Sequence, residues 1–103
     1  MSLTAAIEAS ARRMFPAMSP EQAITELLLE RAQKNLIKYQ AISHQFQAKY
    51  SLDFESFRKQ ILSTYSSSER EQDYFDWELA ITGISDMETE IKHLKNASYP
   101  RSR

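Results

Sequence analysis

The stretch from Ser19 to Tyr50 constrains this chain more than any other, because its roughly 32 residues contain no Gly and the only Pro is the second of them. Apolar side chains recur through it at helical spacing. Ile24, Leu28, Ala32, Tyr39, Ile42, Phe46 and Tyr50 lie near one stripe, and Leu27, Leu29, Leu36 and Ile37 widen it through the first half. The start is marked by coinciding signals: Ser19 at the N-cap, Pro20 at the first helical position, where a missing N–H costs nothing, and Gln22 three residues on to complete a capping box. A helix of this length rises ~1.5 Å per residue and spans roughly 48 Å, whereas a compact domain of ~100 residues has a radius of gyration of about 13 Å. The helix must therefore protrude or be covered by a partner. The density of rings from Tyr39 to Phe57 puts that demand on its second half.

The rest of the chain reads as shorter helices around this one. Leu3 to about Met14 places Leu3, Ile7, Ala11 and Met14 on one face, with Ser2 available as N-cap. Phe15-Pro16-Ala17-Met18 breaks that helix, since Pro16 disfavours the helical conformation at Phe15, and Phe15 and Met18 are placed to plug the corner. Ser51-Leu52-Asp53 reads as a turn in which Asp53 caps a third helix, Phe54 to about Thr64, with Leu52 facing Phe57 as a hydrophobic staple. That helix has the apolar set Phe54, Phe57, Ile61 and Tyr65. After Tyr65-Ser66-Ser67-Ser68, Ser68 and Glu71 form a second capping box and open a fourth helix. Its seam is Tyr74, Trp77, Ala80, Ile81, Ile84, Met87, Ile91 and Leu94, and Gly83 either weakens it or admits a close neighbour. The expectation is an all-α, four-helix chain in a bundle or helical-hairpin arrangement, one domain over residues 1–95 with a flexible tail over 96–103, and dimeric.

Charge and composition narrow the function. The formal charge of −1 divides into +2 over residues 1–65, −7 over 66–91 and +4 over 92–103. Direct nucleic-acid binding rests on a concentrated basic face, and the strongest block here is acidic, so no nucleic-acid partner is expected. The chain has no Cys, which removes disulfides, thiolate metal sites and cysteine nucleophiles. No apolar run approaches the roughly 18–20 residues of a membrane span, and the first residues lack the order of a secretory signal, so a cytoplasmic protein without a membrane partner is expected.

Little in the sequence has the pattern of catalysis. Glu90-Ile91-Lys92-His93 has the Glu-x-x-His spacing of carboxylate-bridged di-metal bundles, which makes Glu90 and His93 metal candidates, with Glu26 or Glu30 as further carboxylates. A second such motif is missing, and the plainer reading is that both are solvated residues of the last turns. His44, the other histidine, lies one position beyond the apolar seam as a boundary residue. No enzyme, cofactor or catalytic residue is expected.

The most unusual segment is Asp73-Tyr74-Phe75-Asp76-Trp77-Glu78, three rings and three acids in six residues. At helical spacing Tyr74 and Trp77 face one way with Glu78, while Phe75 points elsewhere with Glu71 and Leu79, so the three rings cannot share one core. The bland reading makes Trp77 and Tyr74 core residues and the acids an ordinary solvated helix start, or ion-pair partners of Arg31, Lys34 and Lys38. The functional reading is an epitope in which rings anchor a protein partner and the acids steer it.

With Lys49-Tyr50, Phe54, Phe57, this hexapeptide and the apolar helix to Leu94, the chain resembles small helical antitoxin-type proteins of prokaryotic toxin–antitoxin pairs over about Lys38 to Leu94. The resemblance implies that the C-terminal half binds a protein partner, a basic toxin-like one, and that Tyr50, Phe54, Phe57, Tyr74, Phe75 and Trp77 belong to the interface, joined by Asp73 and Asp76. It does not extend to DNA binding, because a basic strand-helix-helix start is lacking. The competing expectation is a structural homo-oligomer in which the long helix pairs with itself.

Overall fold

A computed structural model describes residues 3–98 of the chain. It contains four helices and, among the described residues, no strand: α1 (Leu3–Met14), α2 (Pro20–Tyr50), α3 (Phe54–Ser63) and α4 (Ser68–Ser98). No described helix is long and apolar enough to cross a membrane.

The local signals act where the sequence places them. Ser19 Oγ accepts from the Gln22 N–H at 3.1 Å, and the Ser19 N–H donates to Gln22 Oε1 at 2.9 Å, so the capping box opens α2. The helix ends at Ser51, which adopts φ 55°, ψ 36° and donates its N–H to the Gln47 carbonyl. Asp53 then accepts from the Ser56 N–H at 2.7 Å and starts α3.

Two boundaries differ from expectation. The cap of α4 is Ser67, not Ser68: Ser67 Oγ accepts from the Arg70 N–H and its carbonyl from the Glu71 N–H. Ser68 is the first helical residue, so the Ser68–Glu71 capping box does not form. Helix α4 also continues through Asn96 to Ser98, where a tail had been expected, and residues 99–103 lie outside the described part. Tyr65, assigned by spacing to the apolar face of the third helix, falls beyond the end of α3 and is 99% exposed.

Helices α2 and α4 form an antiparallel pair from Lys49 back to Leu28 on α2. Lys49 meets Glu69 and Asp73 at one end, Ser43 meets Trp77, Tyr39 lies against Gly83, and Leu28 and Ala32 share a groove with Met87 and Leu94 at the other. Small buried residues, Ala32, Ala80 and Gly83, allow the two helices to approach closely. At Gly83 the close neighbour is a ring: a Cβ there would lie 2.7 Å from two Tyr39 ring carbons. Helix α3 closes one end against both long helices, and α1 packs on α2 alone.

The result is elongated, 59 × 37 × 20 Å with a radius of gyration of 19.8 Å. The second half of α2, expected to await a partner, is covered by the chain's own α3 and α4. Exposed apolar side chains gather instead at the other end, in α1 and the first half of α2.

Two stability measurements follow. Gly83→Ala gains ~1 kcal/mol of helix propensity but forces a methyl group onto the Tyr39 ring, a clash of ~1–3 kcal/mol, so chemical denaturation should show a net loss of roughly 1 kcal/mol. In a Tyr39→Ala background the same substitution should become stabilising. Ser51→Gly, at the described residue whose positive φ favours glycine, should raise stability by ~0.5–1 kcal/mol.

Candidate protein-binding surface

The candidate residues converge where α3 closes the α2–α4 pair. Spacing on α4 brings Trp77 and Tyr74 to one side, the short turn after Tyr50 folds α3 back, and Phe46, Tyr50, Phe54, Phe57, Tyr74 and Trp77 form one ring cluster. Trp77 stacks on Phe46 with centroids 5.7 Å apart and meets Phe54 edge-on and Phe57 tilted, both at 5.4 Å. Tyr50 and Phe57 lie 4.3 Å apart, and Phe54 stacks on Tyr74 at 5.6 Å. These are favourable offset and edge geometries. The Trp77 Nε1–H donates to Ser43 Oγ at 2.9 Å, satisfying the polar atom of a side chain only 1% exposed.

A polar lid crosses the cluster. Lys49 Nζ donates to Asp73 Oδ2 at 2.6 Å and to Glu69 Oε2 at 2.8 Å, and the Tyr50 hydroxyl donates to the same Asp73 oxygen. Arg70, the one base in the acidic segment, lies 5.1 Å from the centroids of both the Tyr50 and Phe57 rings and donates to Gln60 Oε1 at 2.9 Å. The alternative pairing of the acids with Arg31, Lys34 and Lys38 is not found among the described residues. The described ion pairs join Lys49 to Asp73 and Glu69, and Arg58 to Glu55.

Burial pushes the Asp73 carboxyl up, but the hydrogen bonds from Lys49 and Tyr50 outweigh it and hold the group below the usual carboxylate range. Burial, reinforced by the bond to Asp73, raises the Tyr50 phenol, and the hydrogen bond to Asp73 raises the Lys49 ammonium.

The sequence-derived candidates thus divide. Phe57 and Trp77 are fully enclosed in the chain's own core, and Tyr50, Phe54, Asp73 and Tyr74 are half-buried in the cluster and its lid. Burial leaves Phe57 and Trp77 no surface for a partner in this conformation. Phe75 and Asp76 face outward, with Leu79 one turn beyond Phe75 on the same face; Phe75 is 55% and Leu79 68% exposed. Glu71 shares that face, Asp76 accepts from Gln72 at 3.0 Å, and Glu78 accepts from the Tyr74 hydroxyl at 3.4 Å.

Sequence reasoning missed Arg70 as a ring cap and Lys49 as the ion-pair partner. The available signal was weak: Arg70 is the lone base among acids, and Lys49 stands beside Tyr50 in the last turn of α2. Glu90 and His93 are exposed near the end of α4, where Glu90 borders the groove of Leu28, Arg31 and Met87. Among the described residues no three His, Cys, Asp or Glu side chains are grouped to hold a metal ion. No protein-family model, curated protein or solved structure matches the chain.

Two outcomes follow from the cluster. Asp73 titrates below its unfolded value, so its stabilisation is present above pH ~4 and is lost as pH falls through the lower folded value. Tyr50 and Lys49 titrate above their unfolded values near 10, so their stabilisation is lost as pH rises past ~10. Thermal melts should show a plateau from about pH 5 to 9, and Asp73→Asn should lower it by about 1 kcal/mol and flatten its acid limb. Trp77→Ala should cost ~3–5 kcal/mol in denaturant titrations, an effect on the fold itself.

Proposed function

We propose that this chain is a non-enzymatic protein-binding module, an antitoxin-type or regulatory partner, that docks a basic protein surface through the outer face of the first half of α4. One observation carries the reading. Phe75 and Leu79 stand in solvent one turn apart although the helix has a buried side available, and Glu71, Asp76 and Glu78 around them have no cation at ion-pair distance among the described residues.

An exposed ring and an aliphatic side chain one turn apart provide an anchor of the kind that dominates interface energies once desolvated. The unpaired acids raise the encounter rate with a basic partner and repel acidic ones. The buried cluster beneath supplies rigidity, since Tyr74 packs on Phe75 at 5.6 Å while itself stacked on Phe54, so the anchor is held before binding. Of the residues assigned to the interface by resemblance, Phe75 makes the contact, Asp76 steers, and Tyr50, Phe54, Phe57, Tyr74 and Trp77 support the helix that presents them.

The test is an intracellular affinity purification with the full chain as bait, followed by binding of the identified protein in vitro. Wild type should retain a basic protein whose affinity falls as salt rises. Phe75→Ala combined with Asp76→Lys should weaken it by at least about 100-fold, the loss of a hot-spot anchor plus a steering charge. Tyr65→Ala, at an exposed site outside this face, should leave binding intact. Equal retention by wild type and the Phe75/Asp76 variant would overturn the proposal.

A further inference from the structure

The chain exposes 7754 Å² of surface. A compact monomer of its 12.0 kDa mass exposes roughly 6,000 Å². The excess is roughly twice the ~800 Å² that one partner contributes to a standard interface.

Exposed apolar side chains are densest at one end of the molecule. Of the eleven large apolar side chains exposed among the described residues, six, Ile7, Met14, Met18, Ile24, Leu27 and Leu28, belong to α1, the corner and the first turns of α2, while Ile37, Leu62, Tyr65, Phe75 and Leu79 are spread over the rest of the chain. Five of the six, all but Leu28, border the shallow grooves around Phe15, one of which, along α1, holds about 270 Å³. Exposure runs from 36% at Met18 to 73% at Met14. These are the residues whose spacing made amphipathic stripes on α1 and α2. Helix α1 touches only α2, so its stripe is half used.

The charges around this face indicate what covers it. Glu8 and Glu21 stand beside Ile7 and Ile24 at one end, Arg12 and Arg13 occupy the last turn of α1, and Glu26 and Glu30 flank the corner. None of these six is in an ion pair among the described residues. A two-fold axis places two different patches, one from each copy, against each other, so a rim that carries arginines at one position and acids at others allows opposite charges to meet across the axis. The outer face of α4 has the opposite character: it is rimmed by acids alone, and a second copy there would set like charges together.

We infer that a second copy of this chain covers the α1–α2 face, forming a two-fold dimer in which Ile24 and Leu27 are central and Arg12 and Arg13 of each copy meet acidic rim residues of the other. The dimer leaves both α4 faces open, so it stands or falls independently of the binding role proposed for Phe75.

Sedimentation equilibrium of the full chain tests this. Wild type should sediment at twice the 12.0 kDa chain mass at micromolar concentration. Ile24→Glu with Leu27→Glu should raise the dissociation constant at least about 100-fold with the helical circular dichroism unchanged, while Phe75→Ala remains dimeric. Should the double variant lose helix, charge reversal on exposed positions decides: Arg12→Glu with Arg13→Glu should weaken the dimer about tenfold, and adding Glu8→Lys with Glu21→Lys should restore it. A wild-type monomer at about 100 µM, a dimer indifferent to both sets of variants, or dissociation by Phe75→Ala would overturn the inference. A chain ending at Ser98 should stay dimeric; if it dimerised where wild type did not, residues 99–103 would be the cover and the inference would fail.

Discussion

The burial of Trp77 organises everything else at the closed end of the molecule. An indole of this size can be enclosed between two helices only if its N–H finds an acceptor and its faces find rings. Ser43 supplies the acceptor, Phe46 the stacking face, and Phe54 and Phe57 the remaining walls. Those walls come from α3, which is too short to be stable alone and takes its place from the ring contacts. The turn at Ser51, with its left-handed backbone, reverses the chain so that α3 can deliver them. The antiparallel register of α2 and α4 follows from the same anchor, continued by Tyr39 in the space left by Gly83.

Anchoring at one end has a consequence for the other. Away from the cluster the helix pair is held by small residues and by side chains that remain partly exposed, and α1 adds a contact with α2 alone. The molecule therefore has one end built around a closed ring cluster, with Leu62, Tyr65, Phe75 and Leu79 exposed outside it, and another where Ile7, Met14, Met18, Ile24, Leu27 and Leu28 are exposed together. The acids of α4 divide in a similar way. Asp73 and Glu69 turn inward over the rings to Lys49, whereas Glu71, Asp76 and Glu78 turn outward around Phe75 and Leu79. Glu69, Arg70, Asp73, Tyr74 and Trp77 of one short segment thus build the core or its lid, and their neighbours in sequence build a surface. The two exposed faces differ in charge pattern, acidic on α4 and mixed on α1–α2.

Much of the fold was legible residue by residue. The Ser19–Gln22 box, the Asp53 cap and the proline at position 20 are local devices whose partners lie within four residues, so their effect needs no knowledge of the rest of the chain. Helical spacing also separated Phe75 from Trp77 before any tertiary contact was known. The misplacements share a physical origin. Ser67 and Ser68 are equivalent as caps from local chemistry, and where the turn from α3 ends decides between them. Tyr65 fits the apolar period of α3, but the helix stops first and the ring stays in solvent.

The sequence alone determined that the chain is helical, where its four helices lie to within a few residues, and that three rings and three acids crowd the start of the last one. These follow from propensity, capping and periodicity, which act over one or two turns. Tertiary structure decided which rings became core, that Lys49 rather than Arg31, Lys34 or Lys38 pairs with Asp73, and that the rings of the second half of α2 are packed by α3 and α4 while Ile24, Leu27 and Leu28 of its first half stay exposed beside the buried Ala23, Leu29 and Ala32. Those outcomes depend on the register of two long helices and the return of α3, set by contacts 20 or more residues apart. Periodicity can mark a face as apolar, but it carries no information about which other face will meet it.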